Sequence, residues 1–296
     1  MGVGELAALV GAVFWAATNL ILRGPVISVG GATAQTWRTG VSSIVFAFAF
    51  LALRSPRDLL VIPPRTVAVL LLSVLLSMVL GDILQFTAVR HLGVARALPI
   101  ASSYPLLTIL LATATLGEHL SARISIGATL VIAGVTLVAL PRRSLGEQQG
   151  WQRPHADGHR AGVAFALGSA VCAAAATVLT RIALRGDLDI LAANMLRLPF
   201  SAVLCALIST SQRRQPPWRV ERRYVLPLCL AGLTGLASGL CYLTAVKVAG
   251  ASTTGTLNAS SPIFGLLGAI VFLHERPTRR SIVGTFVAFL GIVLVV

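Results

Sequence analysis

Asp82 is the acid best placed to do chemistry in an apolar setting: of the ten Asp and Glu residues, it alone lies well inside a long apolar run. A charged side chain at the middle of a bilayer costs roughly 2.5 to 3.5 kcal/mol on insertion scales, so it needs a partner or a function. At 1.5 Å per residue, Asp82 stands roughly 10 Å from the end of its run, and Arg38 roughly 9 Å from the start of its own, measured from the same membrane face. Arg96 enters the next run from that face and is a second partner. Two readings stay open for Arg38, Asp82 and Arg96. They form an ion pair that ties helices together, or a gate or proton-coupling site whose pairing changes as the protein works.

Arg197 has no such acid, because the position 157 residues after Asp82 is Gly239. It either snorkels to an interface and bonds free backbone carbonyls, or receives a substrate carboxylate, whose two oxygens match the guanidinium fork. Pro105 and Pro262 each sit inside a run, behind Ser102, Ser103 and Tyr104 in one case and Ser260 and Ser261 in the other. An interior proline costs roughly 3 kcal/mol and frees the carbonyl four residues earlier, which the serine hydroxyls can resatisfy in part. Helices interrupted at matching places point to a binding site, the alternative being a packing kink. Asn19, Gln85, Thr108, Tyr242 and Asn258, with Trp15 as an aromatic wall, are expected to share that cavity. Each could equally be an interhelical hydrogen bond, worth only about 0.6 kcal/mol on average in membranes.

Other chemistries find little support. Cys172, Cys205, Cys229 and Cys241 all fall in apolar runs without CxxC spacing, so free thiols are expected and no metal site or disulfide. His155 and His159 stand four apart in a Pro- and Gly-rich stretch without cysteines, a solvated loop more than a zinc site. No GxxxxGKS or GxGxxG loop occurs, which argues against ATP-driven pumping and against a nucleotide cofactor; no cofactor is expected. An intramembrane enzyme acting on lipids or peptides is the rival from another class, but Ser238 lacks the glycine of a GxSG motif and no histidine lies within a span. An uncoupled channel or flippase is the other alternative.

The elements that must position these residues follow from composition. The 296 residues are 56% hydrophobic and 11% charged, with a mean hydropathy of +0.85, against roughly 25% charged in ordinary soluble domains. Too little polar surface exists to cover a globule in water, and a lipid bilayer becomes the expected surrounding. Apolar runs of about 20 residues count as spans, and ten are expected, near residues 5–22, 32–53, 66–89, 94–116, 124–140, 162–182, 190–209, 225–246, 252–273 and 282–296. The fold class is an all-α membrane protein. Continuous apolar runs disfavour a β-barrel, and the first run has neither a basic leader nor a cleavage site, so it is kept as a span.

The halves match at a fixed offset. Pro105 pairs with Pro262, Glu118 with Glu275, Gly127 with Gly284, Gly134 with Gly291 and Gly93 with Gly250, all 157 apart. Residues 1–140 and 161–296 therefore read as two homologous five-helix units, with 141–160 as the linker. An odd number of spans inverts the second unit in the membrane, the inverted-repeat architecture of many secondary transporters. The glycines seven apart lie on one face of the last helix of each unit, for close packing. Glu118 and Glu275 are expected to make interfacial ion pairs with Arg123 and with Arg276, Arg279 or Arg280.

Trp15 and Asn19, Arg38, the stretch from Gly81 to Arg90, Ser102-Ser103-Tyr104-Pro105, Gly117-Glu118 and Gly127 to Gly134 together resemble the EamA repeat of the drug/metabolite transporter superfamily. Arg197, Gly239 to Lys247, Ser260-Ser261-Pro262, His274-Glu275-Arg276 and Gly284 to Gly291 form the second copy, which lacks the early Trp. The resemblance implies a ten-helix carrier of the bacterial inner membrane, often an exporter of amino acids or related compounds. Its partners would be a small-molecule substrate, the bilayer, and a proton as coupling ion, with a homodimer admissible. The net charge of +14, with 23 of 24 basic residues arginine, fits loops facing anionic lipid better than nucleic acid. Counting basic loops puts the linker in the cytoplasm, whereas the resemblance implies cytoplasmic termini; a reporter fused at Val296 separates the two.

Overall fold

The structure is a computed structural model and describes residues 2–92, 100–118, 121–139, 156–186, 188–213, 216–273 and 279–296. Every regular element among them is a helix. The first half contains α1 (Val3–Val29), α2 (Gly31–Leu53), the short α3 (Arg57–Leu60), and α4 (Pro64–Val74). The last of these runs through a π-helical segment (Leu75–Gly81) into α5 (Asp82–Leu92), followed by α6 (Tyr104–Leu116) and α7 (Ala122–Ala139). The second half contains α8 (Ala156–Leu184), α9 (Ile190–Arg213), α10 (Arg222–Ala249), α11 (Ala251–Asn258), α12 (Ser261–Leu273) and α13 (Arg279–Val295). Helix α8 reaches back into the segment expected to be linker; residues 140–155 lie outside the described ones.

Among the described residues, six helical stretches are long and apolar enough to cross a membrane: Val3–Leu22, Gly31–Leu53, Pro64–Gln85, Arg160–Leu184, Ile190–Ser211 and Arg222–Ala249. Tyr104–Leu116, Ala122–Leu137 and Ile282–Val295 are apolar but shorter. The expectation of ten spans is thus met only in part, for a physical reason. The run at 252–273 is not one helix but two, α11 and α12, separated by a turn at Ala259 and Ser260. The equivalent run breaks at Ser102 and Ser103 ahead of α6, and neither broken piece has a full span's length. Pro105 and Pro262 each fall at the second position of the helix after the break. There a missing N–H costs nothing, since the first turn has unsatisfied donors anyway. The expected penalty of an interior proline is therefore not incurred.

Helices of the two halves pair antiparallel throughout. Along α1 and α10, Ser238 Oγ donates to the Gly11 carbonyl at 3.0 Å, Thr18 and Thr234 share a hydrogen bond of 2.8 Å, and Ser28 and Tyr224 one of 2.7 Å. Along α2 and α9, Thr33 bonds Ser209 at 2.8 Å near one end and Arg54 meets Asp189 at 2.6 Å near the other. Ser169 Oγ of α8 donates to the Gly81 carbonyl at 3.0 Å. On α7 and α13, a Cβ added to Gly134 would lie 2.4 Å from the Gly284 carbonyl oxygen, and one on Gly127 2.8 Å from that of Gly291. The four glycines thus let these two backbones touch, as expected from their spacing. Fully buried Ala8, Ala12, Ala166, Ala193 and Ala231 permit the same approach elsewhere, the usual way helices associate where lipid removes the hydrophobic drive. Phe48, Leu207, Phe286 and Val293 remain exposed on the outside, an apolar surface of the kind a bilayer covers.

Candidate substrate site

Arg38 leaves α2 buried and flat against glycine: a Cβ on Gly235 of α10 would lie 3.2 Å from its Nη1. Its Nε donates to Gln35 Oε1 at 3.0 Å, one turn back on the same helix, and its guanidinium lies over the Trp15 ring at 5.1 Å. Nη2 is buried with no partner. Asp82, exposed at the start of α5 just after the π-helical segment, is near enough for its charge to interact with that of Arg38. No ion pair within 4.0 Å joins the two. The structure therefore holds the depth-matched pair apart rather than closed. A π-helical insertion shifts the register of every residue after it and is common at functional sites; here it immediately precedes Asp82. Arg96, the second partner expected for Asp82, lies outside the described residues.

Arg197 is packed into the bundle between α9 and α10. It is 8% exposed, its guanidinium stacks over the Tyr242 ring at 5.7 Å, and its Nε is buried with no partner. Tyr242 in turn donates to Thr177 Oγ1 at 3.3 Å. Asn194, one turn before Arg197 on α9, is also buried, with Nδ2 unpartnered.

The broken helices carry their own hydroxyls. Ser103 Oγ donates to the Ile100 carbonyl at 2.7 Å and Ser260 Oγ to that of Leu257 at 2.5 Å. Each serine thus bonds three residues back across its break, to the carbonyl one residue before the one its proline was expected to free, Ala101 or Asn258. Tyr104 OH crosses to the other half, donating to the Gly255 carbonyl at 3.0 Å, and Thr108 packs against Gly255. Asn258 is half-buried at the end of α11, and Ser102 half-buried ahead of α6. Asn19 is exposed and turns back to the Trp15 carbonyl at 2.8 Å, while Gln85 Oε1 is buried without a partner. Two groups emerge: Trp15, Arg38 and Asp82 around α1, α2 and α5, and Arg197 and Tyr242 between α9 and α10.

A family model for the EamA-like transporter family matches residues 2–140 and again 160–296, one copy per half. The chain belongs to that family. It is accordingly a multi-pass membrane protein of the drug/metabolite transporter superfamily. A protein of Archaeoglobus fulgidus described as an uncharacterized transporter is 29% identical over 289 residues, spanning 98% of this chain and 96% of its own length. A solved crystal structure, 20% identical, aligns with a TM-score of 0.78 over 98% of this chain and 95% of that one, a likeness of fold. Family and relative alike indicate a transporter rather than an enzyme.

Sequence reasoning missed the arrangement at the opposite end of this EamA-like bundle. Glu118, expected to pair with Arg123, instead caps the amino terminus of α11. Its carboxylate accepts from Ala251 N at 3.0 Å, Ser252 N at 3.2 Å and Ser252 Oγ at 2.7 Å, with Arg181 Nε at 3.8 Å. Gly250 makes room for it: φ is +88° and a Cβ would stand 2.9 Å from Glu118 Oε1. Arg181 also donates to the Val246 and Lys247 carbonyls, Arg185 to that of Leu116, and Lys247 Nζ to that of Leu188 at 2.8 Å. These bonds tie α6, α8, α10 and α11 together at that end. A cavity of about 530 Å³ opens beside them, lined by Asp58, Ile62, Thr66, Gly186, Leu188 and Asp189 among others. None of the residues expected to bind substrate lines it. His274, Glu275 and Arg276 lie outside the described residues. Of the thiols, Cys172 and Cys205 are buried and free, whereas Cys229 and Cys241 are free but only half-buried.

Proposed function

We propose that this chain is a secondary-active carrier that exports small metabolites, amino acids or related compounds among them, across the bacterial inner membrane. Ten crossings arranged as two inverted five-helix repeats would alternate access to a cavity between them. The antiparallel pairing of equivalent helices supports this reading, since a two-fold relation between units lets each adopt the other's conformation. The observation that carries the mechanism is the open relation of Arg38 and Asp82: a buried cation with an unpartnered Nη2 and a carboxylate within charge range but unbonded. A carboxylate so placed can take up a proton from one side, losing its attraction for Arg38, and release it when the pair closes. That alternation is what couples a proton gradient to movement.

The cargo is sought by comparing metabolites released from cells with and without overproduced protein, and by resistance to toxic analogues. In vesicles loaded with the compound found, Asp82→Asn is expected to abolish flux driven by a pH gradient while leaving folded protein and counterflow exchange. Gradient-driven flux retained by that variant would sink the coupling role of Asp82.

A further inference from the structure

The two repeats leave their buried arginines in different states. Gln35 and Asn194 stand 159 residues apart, as do Arg38 and Arg197, each amide one turn before its arginine. In the first repeat the Gln35 amide oxygen takes the Arg38 Nε proton at 3.0 Å. Asn194 is one methylene shorter and makes no such bond. Arg197 Nε and Asn194 Nδ2 are both left buried without a partner, on residues 8% and 3% exposed. Three residues apart on a helix, the two side chains share one face of α9.

What lies opposite them is a gap. The offset of 157 that aligns the repeats places Gly239 where the first repeat has Asp82. A Cβ on Gly239 would meet only Asn194 Oδ1, at 3.8 Å, with open space otherwise. Tyr242, one turn further along α10, covers the guanidinium. Two orphaned donors on one face of α9, one of them cationic, therefore stand against α10, the Asn194 amide at Gly239 and the Arg197 guanidinium at Tyr242, where the other repeat carries a carboxylate. A buried donor without an acceptor is costly, and most so on a charged group, and an incoming oxyanion removes that cost. Tyr242, a phenol, is the one titratable side chain recorded as interacting with Arg197 among the described residues, so Arg197 supplies a single positive charge there. That suits a monoanionic carboxylate better than a phosphate.

We propose that Arg197, Asn194 and the gap at Gly239 form a subsite for the carboxylate of the transported metabolite, which takes the place of the aspartate this repeat lacks. The inference rests on the transporter reading above and narrows its cargo to carboxylate-bearing compounds.

The test uses the purified full chain in lipid nanodiscs, titrated with L-amino acids and with the corresponding carboxamides, reading thermal stabilisation and equilibrium binding. At least one acid is expected to bind, with its carboxamide at least tenfold weaker. Asn194→Gln supplies the internal acceptor that Gln35 provides in the other repeat, and Gly239→Asp supplies the carboxylate. Each is expected to keep or raise the melting temperature while weakening the acid at least tenfold. Arg197→Lys keeps the charge without the fork and is expected to weaken it too. The proposal is overturned if acid and carboxamide bind alike, if folded variants bind the acid as wild type does, or if no acid binds wild type. Should it fail while overproducing cells still export a neutral or cationic compound, the transporter reading stands. Absence of any gradient-driven flux is the failure of that reading instead.

Discussion

Asp189 illustrates how a carboxylate at the rim of an apolar bundle is kept ionised. Burial pushes its carboxyl up, but the Leu191 N–H at 3.0 Å and the Arg54 guanidinium at 2.6 Å outweigh that and hold it below the usual range. A depressed value means the carboxylate stabilises the fold above the unfolded value of about 3.9. That contribution disappears as pH falls through the lower folded value. The pair is half-exposed, with 48% and 34% of the two side chains accessible, so screening limits its worth to about 0.5 kcal/mol. Asp189→Asn should therefore lower the melting temperature slightly at neutral pH, and the difference from wild type should vanish as pH falls through the lowered folded value. A difference between variant and wild type that persists in acid would assign the effect to packing instead. Arg197 and Asn194 stand in the opposite condition, since their donors have no internal acceptor. The contrast between these two sites separates donors and acceptors satisfied within the fold from donors that, under the proposed subsite, a substrate carboxylate would satisfy.

Among the elements, the crossing of α7 with α13 has the least tolerance. Replacing Gly134 by alanine puts a methyl 2.4 Å from the Gly284 carbonyl oxygen and 2.5 Å from Ala288. Backbone on the far side cannot rotate away, so the helices must separate, at a cost of about 1 to 3 kcal/mol. Gly40, with nothing within 4 Å of an added Cβ, is the control: Gly40→Ala should leave stability unchanged or slightly raised through helix propensity. Equal melting temperatures for the two variants would show that the backbones do not touch. The glycines, prolines and serines of this fold were legible because they stand out against Leu, Val and Ala and recur at one offset. Other features have no compositional mark. The π-helical segment before Asp82 looks like any apolar stretch, and the importance of Asn194 lies in a one-methylene difference from Gln35 that matters only once each arginine's Nε is located. Glu118 was misread because its nearest base along the chain is Arg123, whereas antiparallel packing delivers the amino terminus of α11. The span count suffered similarly, since a run of apolar residues does not show where a helix is broken.

For the whole molecule, the distribution of polar bonds differs between the two ends. Near Glu118 the halves are joined by the capped amino terminus of α11 and by Arg185 bonded to the Leu116 carbonyl of α6, while Arg181 and Lys247 tie α8, α10 and the turn before α9 together within the second half. Towards the other end Asp82 and Asn19 are exposed, Trp15 is 40% exposed, and Arg38 retains an unpartnered Nη2. A molecule built from two antiparallel halves need not keep this asymmetry, because exchanging the conformations of the halves moves the tied end to the other side. Under alternating access the Glu118 bonds must break once in every cycle, and a covalent bond in their place stops it. With the native cysteines replaced, Glu118→Cys combined with Ser252→Cys puts two thiols on the facing residues whose carboxylate and hydroxyl are now bonded at 2.7 Å. Oxidation is expected to reduce flux at least tenfold, reductant to restore it, and either single variant to be insensitive to both. If the oxidised pair transports as fast as the reduced one, this end does not open during transport and the cycle must run by another route.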